Sequence, residues 1–468
     1  MSLPAPHCPR LSACPPGRCY RLSAAGPFAP GHVGELTRFL PFELVDAVLE
    51  ETRAVQRRLR RLPSRVGVYF LLALALFPDL GYRRVWDKLV AGLPAGAPAP
   101  SAKALRDVRR RVGVPAMREL FQIVAGPLAQ PRTPGTRFGR WRTVSFDGCS
   151  SIKAPDTASN IGWLRKAKAA RGVTGYPMVQ LMTLVETGTR GLIGAVLGPV
   201  TGEAVRAKHL VGLLGGDMLV LADRAFDDTD LMEKVKAAGA GFLIRLSSTR
   251  KPPHLLPLDD GTHLARIGTL TVRIITAELT VTCSDGTAWT GRYRWATTLL
   301  DHRRYPARAL IHLYHERWEH EVAYLALRHT LLHGRVLRSG DPTGLEQEIW
   351  ALLTTYQLLR TAMVNAVEQA GGINPDRAGF TVALTTAQNL LINAGNIIDD
   401  LDPIGQIGRA VLDGLAPPRR LRVSTRKVKS ALSRYNKADP DRPARATTVQ
   451  AIAIVLIGCP DLTTRGGP

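Results

Sequence analysis

Residues 314–332 read YHERWEHEVAYLALRHTLL, a stretch without Gly or Pro in which apolar residues recur at helical spacing. With Tyr314 at the origin and about 100° per residue, Trp318, Val322, Leu325 and Leu332 fall within roughly 80° of one another. They form the expected buried stripe. Glu316 and Glu319 fall on the far side, where solvated charge belongs. Arg317, Glu321 and Arg328 fall on the shoulder of the stripe, at roughly 300°, 340° and 320°. A carboxylate between two guanidinium groups at the edge of a core is costly unless it is paired or coordinating. On the helix alone, an intrahelical ion-pair ladder explains these charges as well as a ligand site does.

Two further acids stand where chemistry collects. Asp147 follows the strand-like RTVSF, and Asp223 follows DMLVLA. Groups at the carboxyl ends of strands in an open α/β sheet converge on one crevice, and a helix packed on the sheet can bring Glu321 to the same place. Three clustered carboxylates repel one another and require a cation, and hard oxygen ligands select magnesium or manganese. Two such ions about 4 Å apart stabilise the attacking and leaving oxygens of an in-line phosphoryl displacement. Taken singly, an Asp at a strand end says little, because Asp is common in turns.

The elements that must position these acids are legible around them. RTVSFDG reads as a strand closing at Asp147. YPMVQLMTLVETGTRGLIGAVLG reads as two strands joined at a Thr-Gly turn. GEAVRAKHLVGLL is helical, DMLVLADRAF is a strand running into Asp223, TDLMEKVKAAG is a helix and FLIRLS a strand. The order is three strands, helix, strand, helix, strand. Residues 247–300 are β-rich and irregular. Upstream, residues 33–127 are helical and include SAKALRDVRRRVG. There Lys103, Arg106, Arg109 and Arg110 crowd one side, which suits a DNA backbone or an ordinary solvated face. Downstream, long helices are expected over 345–371 and 380–397. No internal repeat is present.

Composition narrows the partners. The chain has 468 residues, 45% of them apolar, and Lys plus Arg number 62 against 39 for Asp plus Glu, a net charge of +23. Such a field favours a polyanion, and nucleic acid is the commonest one; an acidic membrane surface is the rival. No apolar run reaches the roughly 18 residues of a spanning helix, and VGVYFLLALALF stops at Pro78 and reads as a core helix. The N-terminus lacks the shape of a signal peptide, so a cytoplasmic protein with no membrane partner is expected. His7, Cys8, Cys14 and Cys19 match no CxxC spacing and read as part of a loose Pro-rich extension over residues 1–30 rather than as a zinc site. The segment 419–445 carries ten Lys or Arg against two Asp.

Together these motifs resemble the DDE transposases of bacterial insertion sequences, in particular the insertion-sequence-four type. That family carries a Tyr-x2-Arg-x3-Glu-x6-Lys signature, and this chain has Tyr314, Arg317, Glu321 and Arg328 at the same spacing. Arg328 is the departure; it keeps the charge but changes the hydrogen-bond fork. SFDG and LADRAF are similar to the two Asp motifs, and LPFELVDAVLEE with GYRRVWDKL to the family's helical N-terminal domain. The resemblance covers roughly residues 30–400. It implies an α/β ribonuclease H-like catalytic core in two parts, 136–246 and 301–400, split by a β-rich insertion over 247–300. Helical N- and C-terminal regions would flank it: a domain over 31–135 able to bind DNA through Lys103, Arg106 and Arg109, and a basic region over 401–468.

The same resemblance implies catalytic, metal-binding roles for Asp147, Asp223 and Glu321, with two Mg2+ ions or Mn2+ in their place. It implies phosphate contacts from Tyr314, Arg317 and Arg328. It also implies nicking of element ends followed by attack of the freed 3′ hydroxyl, on double-stranded terminal repeats and target DNA. A homodimer in the DNA complex and a location at the bacterial nucleoid are expected. Trp295 and Trp289 are candidates for stacking on a flipped base, with an ordinary strand or core role as the alternative. A nuclease or resolvase that cuts without joining, and a decayed member that only binds DNA, are the competing functions.

Overall fold

The computed structural model describes residues 32–393, 402–418 and 449–458, apart from residues 57, 59–61, 94–98, 167, 170–171, 174, 284–285 and 287. The extension over 1–30, with its His and Cys residues, and the basic 419–445 segment lie outside the described residues.

The chain opens in helices: α1 (Phe42–Glu51), α2 (Ser64–Leu76), α3 (Tyr82–Val90) and α4 (Ala102–Val124). The apolar α2 is buried along almost its whole length, as its composition demands. Gly67 lets α4 lie close against it, since a Cβ there would stand 2.8 Å from methyl groups of both Val108 and Val112. Ser101 caps α4 by accepting from the Ala104 amide. Gly113, at φ 71°, kinks α4 just before Pro115.

The sheet follows. Strand β1 (Arg137–Phe138) pairs with β2 (Trp141–Lys153); a short helix α5 (Ala158–Leu164) and the two-residue strands β3 (Lys168–Ala169) and β4 (Gly172–Val173) intervene. Then come β5 (Met178–Glu186), β6 (Leu192–Gly198), α6 (Glu203–Ala207), β7 (Met218–Ala222), α7 (Thr229–Ala237) and β8 (Gly241–Arg245). The expected order of three strands, helix, strand, helix, strand is therefore present. In space the strands run β6-β5-β2-β7-β8, with β2, β7 and β8 parallel and the β6-β5-β2 edge antiparallel. Residues 141–147 of β2 are buried on both faces, as expected for a central strand covered by helices.

Residues 254–297 extend this same sheet. Strands β9 (His254–Pro257), β10 (His263–Ile267), β11 (Leu270–Cys283) and β12 (Ala288–Thr297) continue it, β12 lying antiparallel to β8. The chain then runs through α8 (Ala307–Tyr314), a 3-10 turn, α9 (Trp318–Leu325) and a π-wound segment over Ala326–Leu331. It continues into the 29-residue α10 (Pro342–Ala370), α11 (Phe380–Asn393) and α12 (Gly405–Asp413). A last strand, β13 (Val449–Leu456), pairs antiparallel with β11. The C-terminal region is thus strand as well as helix.

One apolar cluster joins residues of α1 to α4 with residues of α10, α11 and α12. The N-terminal helices and the late helices are one helical body. The two faces of the central sheet have separate cores. Val144, Phe146, Val220 and Ala222 pack with Leu231 of α7. Leu219 and Leu221 pack with Trp295 and with Leu310 of α8. No described helix is long and apolar enough to cross a membrane.

Candidate catalytic centre

The parallel pairing of β2 with β7 ends at Ser145↔Leu221. Asp147 and Asp223 each lie two residues beyond that pair, at the same level where the two strands part. Alternation places both on the face that carries α8 and α9. The expectation that β2 closes at Asp147 is corrected. The strand runs on to Lys153, because pairing with β5 continues through Asp147↔Thr183 and past an irregularity between Cys149 and Ile152. Asp223 does end its strand. It caps a 3-10 turn over Arg224–Phe226 and accepts from the Ala225 amide at 2.7 Å.

Asp147 is only 6% exposed. Burial and the nearby Glu321 charge push its carboxyl up to about 8, with Asp223 and Glu203 adding to the rise and Arg317 opposing it. The charges of Glu321 and Asp223 are thus both felt at Asp147. The Arg317 guanidinium is buried, with Nη1 3.8 Å from the Asp147 carboxylate. Burial works against its charge, but Tyr314, Asp147, Asp223 and Glu321 together raise its pKa. Its Nε and Nη1 have no hydrogen-bond partner among the described residues.

The helix 314–332 departs from the uniform wheel. A 3-10 turn over His315–Arg317 and the π segment rephase it. Leu325, expected in the buried stripe, is 55% exposed. Glu319, expected in solvent, is buried and bonds Arg190 at 2.6 Å. Tyr314 packs edge-on against Trp295 with ring centroids 5.7 Å apart, and burial raises its hydroxyl to about 12. Arg328 lies in the π segment and is half-exposed.

Sequence reasoning missed the residues that fasten this helix. His320, fully buried, meets Ser145 Oγ through Nδ1 at 2.7 Å and Thr183 Oγ1 through Nε2 at 2.6 Å. Burial and the Arg317 charge drive its pKa down to about 3. Tyr324 donates to the carbonyl of Asp147 at 2.7 Å. Their signal was present: a His and a Tyr four apart share a helical face.

With this geometry in place, comparison with known proteins is decisive. A family model described as Insertion element 4 transposase N-terminal matches residues 30–122, and one described as Transposase DDE domain matches residues 145–358. The chain belongs to the DDE transposases of the insertion-sequence-four type. Transposase InsG for insertion sequence element IS4, from Escherichia coli (strain K12), is 26% identical over 429 residues, covering 88% of this chain and 94% of that one. The piggyBac transposase, in a cryo-EM synaptic complex with hairpin DNA, covers 83% of this chain and 86% of its own at 9% identity and a TM-score of 0.40. A likeness that slight carries no argument. The transposase is an enzyme of DNA transposition, which cleaves DNA and transfers strands, and its catalytic domain is ribonuclease H-like. Enzymes of this family use divalent metal ions.

The donor set of the transposase fits such an ion by its chemistry. The acids nearest the parting of β2 and β7 are carboxylates with Arg317 beside them, and burial first, then the Glu321 and Asp223 charges, raise the proton affinity of Asp147. Among the described residues no three His, Cys, Asp or Glu side chains are gathered into a ready-made coordination set.

The outlying predicted residues divide. Lys103, Arg106 and Arg110 are exposed on α4. Arg109 is corrected: it points inward and is 6% exposed. Its guanidinium donates to Gln347, Tyr82, Ser339 and the Gly344 carbonyl, so each of its three nitrogens already has a partner inside the protein. Trp295 is also corrected. At 1% exposure it is core, under Tyr314, and no base can reach it. The backbone of Trp289 pairs with Val281 on β11; its side chain lies outside the described residues.

Proposed function

We propose that Asp147, Asp223 and Glu321 are the catalytic acids of this transposase and hold two magnesium ions, with manganese able to replace them. The observation that carries this reading is the shared register. Asp147 on β2 and Asp223 at the end of β7 stand at one level, and α9 is fastened to β2 and β5 beside them. When bound, the ions supply charge stabilisation for the attacking and leaving oxygens of an in-line phosphoryl displacement.

The chain's own residues orient the substrate. Arg317, buried beside Asp147 with two unmatched nitrogens, is placed to donate to a phosphate oxygen. Tyr314 backs it, and Arg328 reaches a flanking phosphate from the next turns of the helix. Lys103 and Arg106 grip DNA backbone outside the centre. The reaction is cut-and-paste: nicking at double-stranded terminal repeats, then attack of the freed 3′ hydroxyl on a phosphodiester, within a homodimer that holds two ends at the bacterial nucleoid.

Asp147→Asn, Asp223→Asn and Glu321→Gln are each expected to abolish cleavage while binding to an element end survives. A Glu321→Gln protein that nicks near the wild-type rate would remove Glu321 from the site. Strand-transfer products from the purified protein separate this reading from a nuclease that cuts without joining. Magnesium or manganese should support cutting, and calcium should support binding better than cutting.

A further inference from the structure

Ser145, His320, Thr183 and Tyr324 are buried polar residues that the chemistry of phosphoryl transfer does not use. They come from three elements. Ser145 lies on β2 two residues before Asp147, on the same face. Thr183 lies on β5 as the register partner of Asp147. His320 and Tyr324 lie on α9 and flank Glu321 in sequence. The contacts form a line: Ser145 Oγ to His320 Nδ1 at 2.7 Å, His320 Nε2 to Thr183 Oγ1 at 2.6 Å, Thr183 Oγ1 to Tyr324 Oη at 3.0 Å, and Tyr324 Oη to the Asp147 carbonyl at 2.7 Å.

Counting protons gives this line a direction. A carbonyl only accepts, so Tyr324 spends its one proton on Asp147. A second carbonyl, Leu181, stands 3.3 Å from the same hydroxyl and also only accepts. The Tyr324 oxygen must therefore accept from Thr183. Thr183 has then used its proton and must accept from His320, so Nε2 carries the hydrogen. Nδ1 is left with a lone pair and accepts from Ser145. Within these four contacts each donor is used once and one imidazole tautomer satisfies them all.

We infer that this one-way hydrogen-bond chain positions the two strands and the helix so that Glu321 stands at a fixed distance from Asp147. The four residues are positioning residues: none of them touches the reacting atoms. The chain starts two residues before one acid, passes on both sides of the other along α9, and returns to the main chain of the first. Breaking it anywhere frees α9 to slide over β2 and β5. A shift of about 1 Å at a reacting centre is enough to cost on the order of 10²-fold in rate, and loss of partners outside the ligand set costs roughly 10- to 100-fold in metal affinity or activity.

The inference rests on Asp147 and Glu321 being the metal-binding acids, and the test separates the two. Thr183→Val keeps the volume and the β-branch and removes only the hydroxyl; Thr183→Ser returns the hydroxyl; Tyr324→Phe cuts the last link. Single-turnover cleavage of an end duplex, affinity for that duplex, Mn2+ affinity by calorimetric titration and thermal midpoint are measured on the full chain. Thr183→Val and Tyr324→Phe should each lower cleavage by about 10- to 100-fold and Mn2+ affinity several-fold, with end binding within about two-fold. Thr183→Ser should regain most of both. The double variant should be no worse than the poorer single one, because the chain is already broken. Wild-type cleavage and Mn2+ affinity in Thr183→Val, or a Thr183→Ser as poor as Thr183→Val, would overturn the inference. If Thr183→Val does not fold, Tyr324→Phe decides on the same readouts. Normal cleavage in Asp147→Asn would instead overturn the assignment of the acids.

Discussion

Two arginines of this transposase are buried to nearly the same degree, Arg109 at 6% exposed and Arg317 at 5%, and they are opposites. Arg109 sits inside the helical body. Its guanidinium is saturated by a side-chain amide, two hydroxyls and a carbonyl, with Glu348 3.9 Å away. Arg317 sits beside the acids, with two nitrogens that no described residue satisfies and a carboxylate at 3.8 Å. Burying a guanidinium is costly in either place. A full set of partners returns that cost as stability. An incomplete set leaves donors prepared for something that arrives later. The number of partners, more than burial or charge, separates an arginine that holds the fold from the one proposed to take a phosphate.

The largest effect that would sharpen this contrast is on stability. Arg109→Ala removes the donor of Gln347 Oε1 in the interior together with the bonds to Tyr82, Ser339 and Gly344, and should destabilise the protein by about 3–5 kcal/mol. Thermal unfolding of the free protein reads this, and DNA affinity measured well below the midpoint should not move. An Arg109→Ala protein of wild-type stability with weakened DNA binding would reverse the roles assigned to the two arginines.

Next comes Arg317. Arg317→Ala should lower single-turnover cleavage by about 10²- to 10³-fold, the range for loss of one preorganised donor. Its unfolding midpoint should change less than that of Arg109→Ala, because fewer bonds are lost. Arg317→Lys should recover only part of the rate, since a point charge cannot reproduce the planar fork. A full recovery with Lys would mean that Arg317 acts through charge alone.

Much of this was legible in the residues themselves. The order of strands and helices from β2 to β8 follows from alternation and length, and the spacing Tyr314, Arg317, Glu321 singled out the helix that packs beside Asp147. The inward turn of Arg109 was not legible. Lys103, Arg106, Arg109 and Arg110 look alike on a wheel, and most of the partners that pull one of them in, Ser339, Gly344 and Gln347, come more than 200 residues later. The buried Glu319 escaped for the same reason, since its partner Arg190 stands at the far tip of the β5–β6 hairpin. The 3-10 and π windings are set by tertiary packing, so a wheel with constant pitch misplaced Leu325. Strand β13 lies beyond a long basic stretch and pairs with a strand far back in the chain, a contact that no local pattern announces.

Smaller effects are expected on α4, where the exposed neighbours of Arg109 stand free of its network. Lys103→Ala and Arg106→Ala should each weaken binding uniformly across DNA sequences. Each should reduce the slope of log affinity against log salt by about 0.9 if one phosphate contact is lost. Unfolding midpoints should stay put. An unchanged slope in the double variant would leave α4 as an ordinary solvated face.

The smallest effect belongs to Arg328, the one departure from the family signature. It lies in the π-wound segment and is half-exposed. A π turn takes more residues than an α turn, so Arg328 is rotated away from the position a regular helix would give it. Seven residues beyond Glu321 still place it roughly 10 Å further along the axis, the span of one or two nucleotides of backbone. Two roles compete, a phosphate contact and an ion pair that supports the helix. The partial exposure of Arg328 favours the phosphate. Arg328→Ala should therefore lower DNA affinity a few-fold and the salt slope by about one unit, with thermal stability unchanged. Arg328→Lys, the residue usual in the family, should keep most binding and cleavage. A fall in midpoint with an untouched salt slope would assign Arg328 to the same class as Arg109.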